Sequence, residues 1–195
     1  MKLEKSLKFH IADMRCLFRT INSSDVTKAY VNGLKEQTKY IENIPDNINI
    51  SNQKKYVNNI IMSKDDTICG LFLDKVLVGT AGVQLSLPES FLINIDFKVS
   101  KIATVGIFIF NKNYRGMGLG KTLVWASTYL FYECTRIEWF GAGMKKDNAP
   151  SYKSFLSCGY KDVLGKEKEC DHTIVNISEL NKPELINSVV LTEYE

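Results

Sequence analysis

Apolar residues recur along the chain with two different spacings, and each change of spacing separates a predicted strand from a predicted helix. Alternating or continuous runs of β-branched and aromatic residues predict strands at 14–21, 67–73, 76–85, 102–110, 137–144, 160–164 and 172–177. Helical spacing predicts two early helices, with apolar stripes at Val26, Tyr30, Val31 and Leu34 and at Tyr56, Val57, Ile60 and Ile61. Two later helices are predicted, one containing Leu119, Leu123, Ala126 and Leu130 and one over 150–158. This order is typical of a mixed α/β domain.

Local signals add boundaries to this pattern. Ser23 or Ser24 is predicted to cap the first helix, and Ser51 the second. Asp74-Lys75 is predicted to turn its flanking strands into a hairpin. Three stretches have a weaker pattern. Residues 91–97 are predicted to form an additional strand, and residues 1–12 an edge strand or an irregular lead-in. Pro183 is predicted to open a last short helix.

The composition is that of one globular domain. The 195 residues are 45% hydrophobic and 24% charged. A formal net charge of +3, without a stripe of basic residues between exposed aromatic ones, argues against a nucleic-acid partner. Five widely spaced cysteines predict reduced thiols, and two isolated histidines predict no metal site. A charged N-terminus and the lack of a long apolar span predict a cytoplasmic protein without a membrane partner.

Three glycines at alternate positions, Gly116, Gly118 and Gly120, stand between a predicted strand and a predicted helix. The N–H groups of a helix's first turn have no intrahelical partner and lie at the positive end of its dipole. Alternate glycines let the main chain come close to a bound anion, and Arg115 and Lys121 add positive charge. The stretch therefore predicts a site for a phosphate or a pyrophosphate.

Neither common nucleotide loop fits this stretch. Gly120-Lys121-Thr122 matches the end of a Walker loop, but Arg115 occupies the place of its first glycine. The spacing also differs from the Gly-x-Gly-x-x-Gly of dinucleotide-binding folds.

The pattern that does fit is Arg-x-x-Gly-x-Gly over residues 115–120, which resembles the acetyl-coenzyme A loop of the GNAT N-acetyltransferase superfamily. Residues 148–160 resemble the second motif of that superfamily, since they combine an asparagine, a short helix and the Gly159-Tyr160 pair. The resemblance covers residues 14–178, which leaves 179–195 as a C-terminal extension of a single domain over 1–195.

The resemblance implies a central, mixed, mostly antiparallel sheet of about seven strands with a splayed middle pair, flanked by about four helices. It implies acetyl-coenzyme A as acyl donor and direct transfer to a primary amine in a ternary complex. A main-chain N–H near 109–111 would face the developing oxyanion. The implied cofactor-binding residues are Phe108, Ile109, Phe110, Arg115, Gly116, Met117, Gly118, Leu119, Gly120, Lys121, Asn148, Ser151 and Phe155. Structural roles are open alternatives for three of them: Phe108 and Phe110 in the core, and Asn148 as a helix cap.

The catalytic residues follow the resemblance less closely. Many members have a tyrosine as acid four residues before the Gly-aromatic pair, and Phe155 stands there. Ser151 and Tyr152 are the alternative acids. The Asn-x-x-Ser spelling favours Ser151, because it resembles the branch of ribosomal-protein alanine and polyamine acetyltransferases; the alternative is a hydroxyl bonded to the backbone. No motif places a base, for which the candidates are Glu138 and, less favoured, Asp96, Glu36 and Glu42, unless water removes the proton.

The acceptor prediction rests on a looser similarity. Residues 30–34 and 39–42 resemble, without its Trp, a Trp-Leu-Asn-Asp pattern of acetyltransferases acting on amino sugars of surface polysaccharides. Lysines outnumber acids in the same region, which suits an anionic diphosphate. The predicted acceptor is therefore a nucleotide-linked amino sugar, with a polyamine or a protein N-terminus as alternatives. A non-catalytic coenzyme A binding module is a further alternative, and a homodimer is compatible with the sequence.

Overall fold

The computed structural model describes residues 1–36, 38, 47–85, 102–166 and 168–193. Its strands are β1 (Lys5–Ile11), β2 (Met14–Thr20), β3 (Asp66–Leu73), β4 (Val76–Gln84), β5 (Ile102–Ile109), β6 (Trp139–Lys145), β7 (Lys161–Val163), β8 (Cys170–Asn176) and β9 (Ile186–Glu193). Its helices are α1 (Lys28–Glu36), α2 (Ile50–Met62), α3 (Leu119–Thr135) and α4 (Ala149–Ser157).

The described strands form one sheet in the order β7-β8-β6-β5-β4-β3-β2-β1-β9. All neighbours are antiparallel except β5 and β6, which are parallel. This confirms the predicted mixed α/β domain with a mostly antiparallel sheet, although the described part has nine strands where about seven were expected. None of the described helices is long and apolar enough to span a bilayer.

The hairpin between β3 and β4 is confirmed. Asp74 and Lys75 both have positive φ, of 43° and 73°. Positive φ at both central residues is the requirement of a two-residue type I′ turn, which matches the twist of paired strands. Asp and Lys therefore make the turn without a glycine.

The end of the chain differs from the prediction, because β9 replaces the short helix expected after Pro183. The Pro183 carbonyl accepts a hydrogen bond from the N–H of Ile186 in a turn, and β9 then pairs with β1. Ser188 has φ 52°, and the pairing with β1 shifts register between Lys8 and His10. This irregularity interrupts the two-residue period by which a strand is recognised.

Asparagines, not the predicted serines, cap the early helical segments. Asn22 caps a single 3₁₀ turn over Ser23–Asp25, so α1 begins later than expected. The Asn49 side chain accepts the N–H of Asn52 at 2.9 Å and caps α2. The predicted strand at 91–97 lies outside the described residues.

The sheet has a hydrophobic core on each face. The larger core lies under α3 and includes Leu7, Phe18, Leu71, Phe131 and Phe140. The smaller core lies under α1 and α2 and includes Ile21, Tyr30, Val31, Val57 and Phe110. The two helices therefore rest on the face opposite α3, where they stand beside the end of β5.

Gly33 fixes how closely α1 approaches β5. A Cβ added at Gly33 would clash with the Phe110 side chain and lie 2.6 Å from its carbonyl oxygen. We expect Gly33→Ala to lower the melting temperature by about 2–8 °C, since overpacking of about 2–3 kcal/mol, the upper part of the usual range, exceeds the gain of about 1 kcal/mol in helix propensity. Asn32→Ala, at an exposed position of the same helix, is the control. Equal melting temperatures of Gly33→Ala and the parent in a calorimetric scan would contradict this packing.

Candidate active site

The two central parallel strands separate along their length. β5 and β6 pair only at Ile102↔Trp139, Ala103↔Phe140 and Thr104↔Gly141. Both strands continue beyond this point, where β5 stays paired with β4 and β6 with β8. In an antiparallel ladder alternate residues turn their N–H and C=O groups away from the partner strand. Beyond Thr104, those groups of β5 face the opening between the strands, as expected for the splayed middle pair.

A cleft of about 740 Å³ occupies this opening. On one side of the sheet it is bordered by residues of α1, α2, β3 and β4, and on the other by residues of β6 and α4. Its lining includes Tyr30, Gln53, Tyr56, Asp66, Thr80, Gly82, Gly106, Ile107, Phe108, Lys145, Asn148, Ser151 and Phe155. The cleft therefore connects the helix α4 side of the sheet with the α1 and α2 side.

Strand register decides which residues form the α1 and α2 side of this cleft. Residues paired across strands project from the same face. Asp66, Gln84 and Thr104 form one polar row across β3, β4 and β5. The next row is Ile68, Gly82 and Gly106, and the third is Gly70, Thr80 and Phe108. Two glycines thus lie side by side in the middle of the cleft.

The glycine loop leads directly into α3. Gly116 and Gly118 both have φ 78°, and Gly118 is the N-cap residue of α3. The helix begins with Leu119, and its first intrahelical bond runs from the Thr122 N–H to the Gly118 carbonyl at 3.1 Å. The N–H groups of residues 119–121 therefore have no partner within the helix. Arg115 and Met117 are exposed beside them.

The loop is next to the cleft through Ile107, which lies beside Gly120 and lines the cleft; residues 115–121 themselves are not among the described lining residues. A Cβ built on Gly120 would lie 2.6 Å from the Ser154 hydroxyl oxygen and 3.9 Å from Ile107. A larger residue at position 120 would displace the Ser154 hydroxyl, which donates to the Pro150 carbonyl. Packing therefore disfavours a larger residue at position 120, whereas an added Cβ at Gly116 would meet nothing within 4 Å.

Helix α4 brings three of the expected residues to the cleft. Asn148 caps the helix by accepting the N–H of Ser151 at 3.4 Å, and it lines the cleft as well. Phe155 is buried against Tyr160, with ring centroids 4.9 Å apart, and also lines the cleft. The Ser151 hydroxyl bonds no other described residue, whereas the Ser154 hydroxyl donates to the Pro150 carbonyl at 2.8 Å. Of these hydroxyls, that of Ser151 is available to a ligand.

Tyr152 points away from the cleft. Its hydroxyl lies 2.9 Å and 2.8 Å from the two carboxylate oxygens of Asp162 on β7. Hydrogen bonding to this carboxylate raises the pKa of Tyr152. The phenol thus stays protonated at neutral pH but is directed toward Asp162, outside the cleft-lining residues.

Neither of the two candidate bases that the structure describes lines the cleft. Glu138 is exposed and lines a separate groove with Trp125, Tyr129 and Tyr132. Glu36 forms an exposed ion pair with Lys112 at 3.6 Å. Asp96 and Glu42 lie outside the described residues. Among the described residues that line the cleft, the one carboxylate is Asp66, which sequence analysis did not single out.

Phe108, Ile109 and Phe110, which were expected at the cofactor site, lie in three different environments. Phe108 lines the cleft. Ile109 and Phe110 do not line it: Ile109 packs against the larger core, and Phe110 is buried beside Tyr30 with ring centroids 5.4 Å apart. Phe110 thus has the structural role that the sequence left open as an alternative.

A family model described as an acetyltransferase (GNAT) domain matches residues 15–161. The chain belongs to the GNAT acetyltransferase family. It is therefore an acyltransferase, and acetyl-coenzyme A is its acyl donor. A search of curated proteins finds no match.

Solved GNAT structures share the fold at low sequence identity. RimJ of Mycobacterium smegmatis, in complex with CoA-disulfide, has a TM-score of 0.69 at 11% identity, over 95% of this chain and 94% of RimJ. The aminoglycoside-bound AAC(6')-Ib, in complex with ribostamycin and coenzyme A, has a TM-score of 0.66 at 13% identity, over 84% and 94%. A mutant of spermidine N-acetyltransferase SpeG from Vibrio cholerae has a TM-score of 0.63 at 12% identity, over 84% and 94%. These similarities establish the GNAT fold.

The glycine loop fits the donor that the family uses. A pyrophosphate needs unpaired main-chain N–H groups, positive charge and close approach, and these are present at the start of α3 with Arg115 and Lys121. An open position at Gly116 leaves room beside the loop. The separation of β5 and β6 provides a passage for the extended arm of the donor.

The α1 and α2 side of the cleft contains lining residues that sequence analysis did not single out. Gln53 interrupts the apolar stripe of α2, since it lies four residues before the fully buried Val57. A polar residue on a buried stripe is a signal that can be read from sequence. Gly82 and Gly106 carry a weaker signal, because glycine within a strand often marks a close approach of a ligand.

Proposed function

We propose that the protein acetylates the primary amine of an amino sugar that is carried on a nucleotide. The observation that supports this most is the single carboxylate, Asp66, among the described residues lining the cleft. A polyamine carries several positive charges, and its recognition calls for several carboxylates. An amino sugar offers one amine and several hydroxyl groups, which matches a cleft whose described lining has one carboxylate, one lysine (Lys145) and several neutral polar side chains.

The charge of the neighbouring helices supports the anionic nucleotide part. Helices α1 and α2 carry the exposed lysines Lys28, Lys35, Lys54 and Lys55 against one acid, Glu36, which is already paired with Lys112. A surplus of positive charge near a cleft raises the association rate of an anionic substrate. The proposal therefore includes a diphosphate near these helices.

The transfer that we propose is direct. Acetyl-coenzyme A supplies an activated acetyl group as a thioester. The acceptor's neutral amine forms a bond to the acetyl carbonyl carbon while the bond from that carbon to sulfur breaks. Water in the open cleft takes the proton that the amine loses, Ser151 gives a proton to the departing thiolate, and the proton taken up by the water is returned to the Ser151 oxygen. The main-chain N–H groups of β5 in the opening are positioned to stabilise negative charge on the carbonyl oxygen.

Two acceptor classes compete with this proposal within the same fold. SpeG is a spermidine N-acetyltransferase that shares the fold, so a polyamine as acceptor would keep the same donor chemistry. A protein N-terminus as acceptor would keep it as well.

We also propose a cytoplasmic location, in keeping with the five free cysteines.

The test is product detection by mass spectrometry. The protein is incubated with acetyl-coenzyme A and, separately, with nucleoside-diphosphate amino sugars, polyamines and short peptides. We expect a mass gain of one acetyl group on a sugar nucleotide, with release of one free thiol per product. Acetylation of spermidine or of a peptide N-terminus, with the sugar nucleotides unchanged, would overturn the proposed acceptor.

A further inference from the structure

Three polar side chains are buried at the cleft without a hydrogen-bond partner among the described residues. Tyr30, Gln53 and Thr80 are 2%, 5% and 4% exposed, respectively. No side-chain hydrogen bond joins any of them to another described residue. They come from three different elements, α1, α2 and β4, and all line the same cleft. We call these three residues the polar wall.

Such groups take their hydrogen-bond partner from water or from a ligand. Buried polar side chains nearly always have a hydrogen-bond partner, since leaving one unbonded has a free-energy cost. None of the polar atoms in the polar wall is fully enclosed by protein. Each therefore meets the cleft, where a bound molecule can supply the missing partner.

The floor beside the polar wall has no side chains. Gly82 and Gly106 are paired across β4 and β5. A Cβ on Gly106 would meet nothing within 4 Å, and the nearest atom to one on Gly82 is the Thr67 carbonyl oxygen at 3.9 Å. Packing therefore does not require glycine at either position. What the two glycines provide is a flat area about 5 Å across, the spacing of neighbouring strands, which is wide enough for a six-membered ring.

The chemistry of the polar wall selects neutral polar groups. A phenol, an alcohol and a carboxamide can each both donate and accept a hydrogen bond, as can a sugar hydroxyl. Phe108, in the same row as Thr80, adds an apolar edge to the floor. Asp66 stands two rows from Thr80, and its carboxylate accepts the Ser63 hydroxyl at 2.9 Å. The wall is thus suited to hydroxyl groups on a ring.

We propose that the acceptor's sugar ring lies on Gly82 and Gly106 and that Tyr30, Gln53 and Thr80 bind its hydroxyl groups. This inference rests on the proposed function, which it extends by assigning the residues that select the acceptor. In this arrangement the ring lies next to the opening between β5 and β6, where its amine reaches the acetyl group. The polar wall is specific for the acceptor and does not take part in proton transfer.

The experiment removes each polar group at nearly constant shape, with Tyr30→Phe, Gln53→Leu and Thr80→Val. We expect KM for a nucleoside-diphosphate amino sugar to rise about 10-fold in each variant, the effect of leaving one buried partner unbonded, with a smaller change in kcat. KM for cyclohexylamine, an amine on a ring without hydroxyl groups, should not change. Tyr132→Phe, outside the cleft, is the matched control and should behave as the parent enzyme.

Gly106→Ala tests the floor without endangering the fold, since its Cβ has space. We expect an unchanged or higher melting temperature together with a KM for the amino sugar raised about 10-fold. Acetylation of the amino sugar with an unchanged KM in all four variants would overturn this inference and leave the proposed function intact. If the parent enzyme acetylates no amino sugar, both fall. A rise in KM that is equal for cyclohexylamine would also overturn the inference, because it would indicate a general distortion of the cleft.

Discussion

Gly118→Asp is expected to weaken coenzyme A binding about 100-fold. Gly118 is the N-cap residue of α3 and has φ 78°, which Asp tolerates better than most residues. The new carboxylate would stand among the N–H groups that we assign to the pyrophosphate. Two like charges roughly 5 Å apart repel by about 3 kcal/mol at an effective dielectric constant of about 20. That energy corresponds to roughly 100-fold in affinity.

The measurement is a calorimetric titration with coenzyme A at low and at high salt. The loss of affinity should shrink at high salt, because ions screen the repulsion at this exposed loop. Asn113→Asp is the control, since it adds the same charge at an exposed position shortly before the loop. An added Cβ at Gly118 would lie 2.8 Å from a terminal methyl of Leu185, which can move aside, so we expect the fold to persist. Unchanged affinity in Gly118→Asp would remove the assignment of the loop to the pyrophosphate.

The cofactor half of the proposed site could be assigned from sequence because the features that we assign to it are local. A strand, alternate glycines and a helix start follow each other within residues 102–121, so one stretch holds all the features of the proposed anion site. The same is true of α4, where Asn148 and Ser151 are one helical turn apart. Positive φ at Gly116 and Gly118 gives the physical reason for two of the three glycines.

The acceptor half could not be predicted in this way, because it depends on strand register. Gly82 and Gly106 are distant in sequence and become neighbours only through the pairing of β4 with β5. A shift of one residue would have turned both to the α3 face. Tyr30 and Gln53 reach the same cleft only because α1 and α2 pack on that face of the sheet. The spacing of residues along the sequence does not show that residues of different elements lie close together in space.

Glu138 shows the same limit for charged residues. Its position within the strand predicted over 137–144 made it a candidate base, and yet it lines a groove away from the cleft. β6 begins with Trp139 and first meets β5 at Ile102, at the opposite end from the opening. A residue at the paired end of the two strands is therefore remote from the site where they separate. The sequence can predict that a residue lies in a strand, but it does not show whether the residue lies at the paired end or at the separated end of two strands.

Ser151→Ala is expected to lower kcat about 100-fold, with KM for both substrates changed by less than about threefold. General acid catalysis typically contributes about 10²–10⁴-fold, and the departing thiolate needs one proton. The Ser151 hydroxyl lines the cleft and bonds no other described residue, so its loss removes no structural contact seen there. A fall in kcat without a rise in KM is the behaviour of a group that acts in the transition state.

Two variants of the same helix serve as controls for Ser151→Ala. Ser157→Ala removes a hydroxyl that donates to the Ser154 carbonyl at 2.9 Å, away from the cleft. Tyr152→Phe removes the other proposed acid, whose hydroxyl is held by Asp162, and should change kcat less than about twofold. Steady-state release of free thiol measures all three. If Tyr152→Phe causes the large loss and Ser151→Ala does not, the helix must turn during turnover and the roles are exchanged. If neither Ser151→Ala nor Tyr152→Phe is slower than Ser157→Ala, neither of these two hydroxyls protonates the thiolate, and water in the cleft has that role.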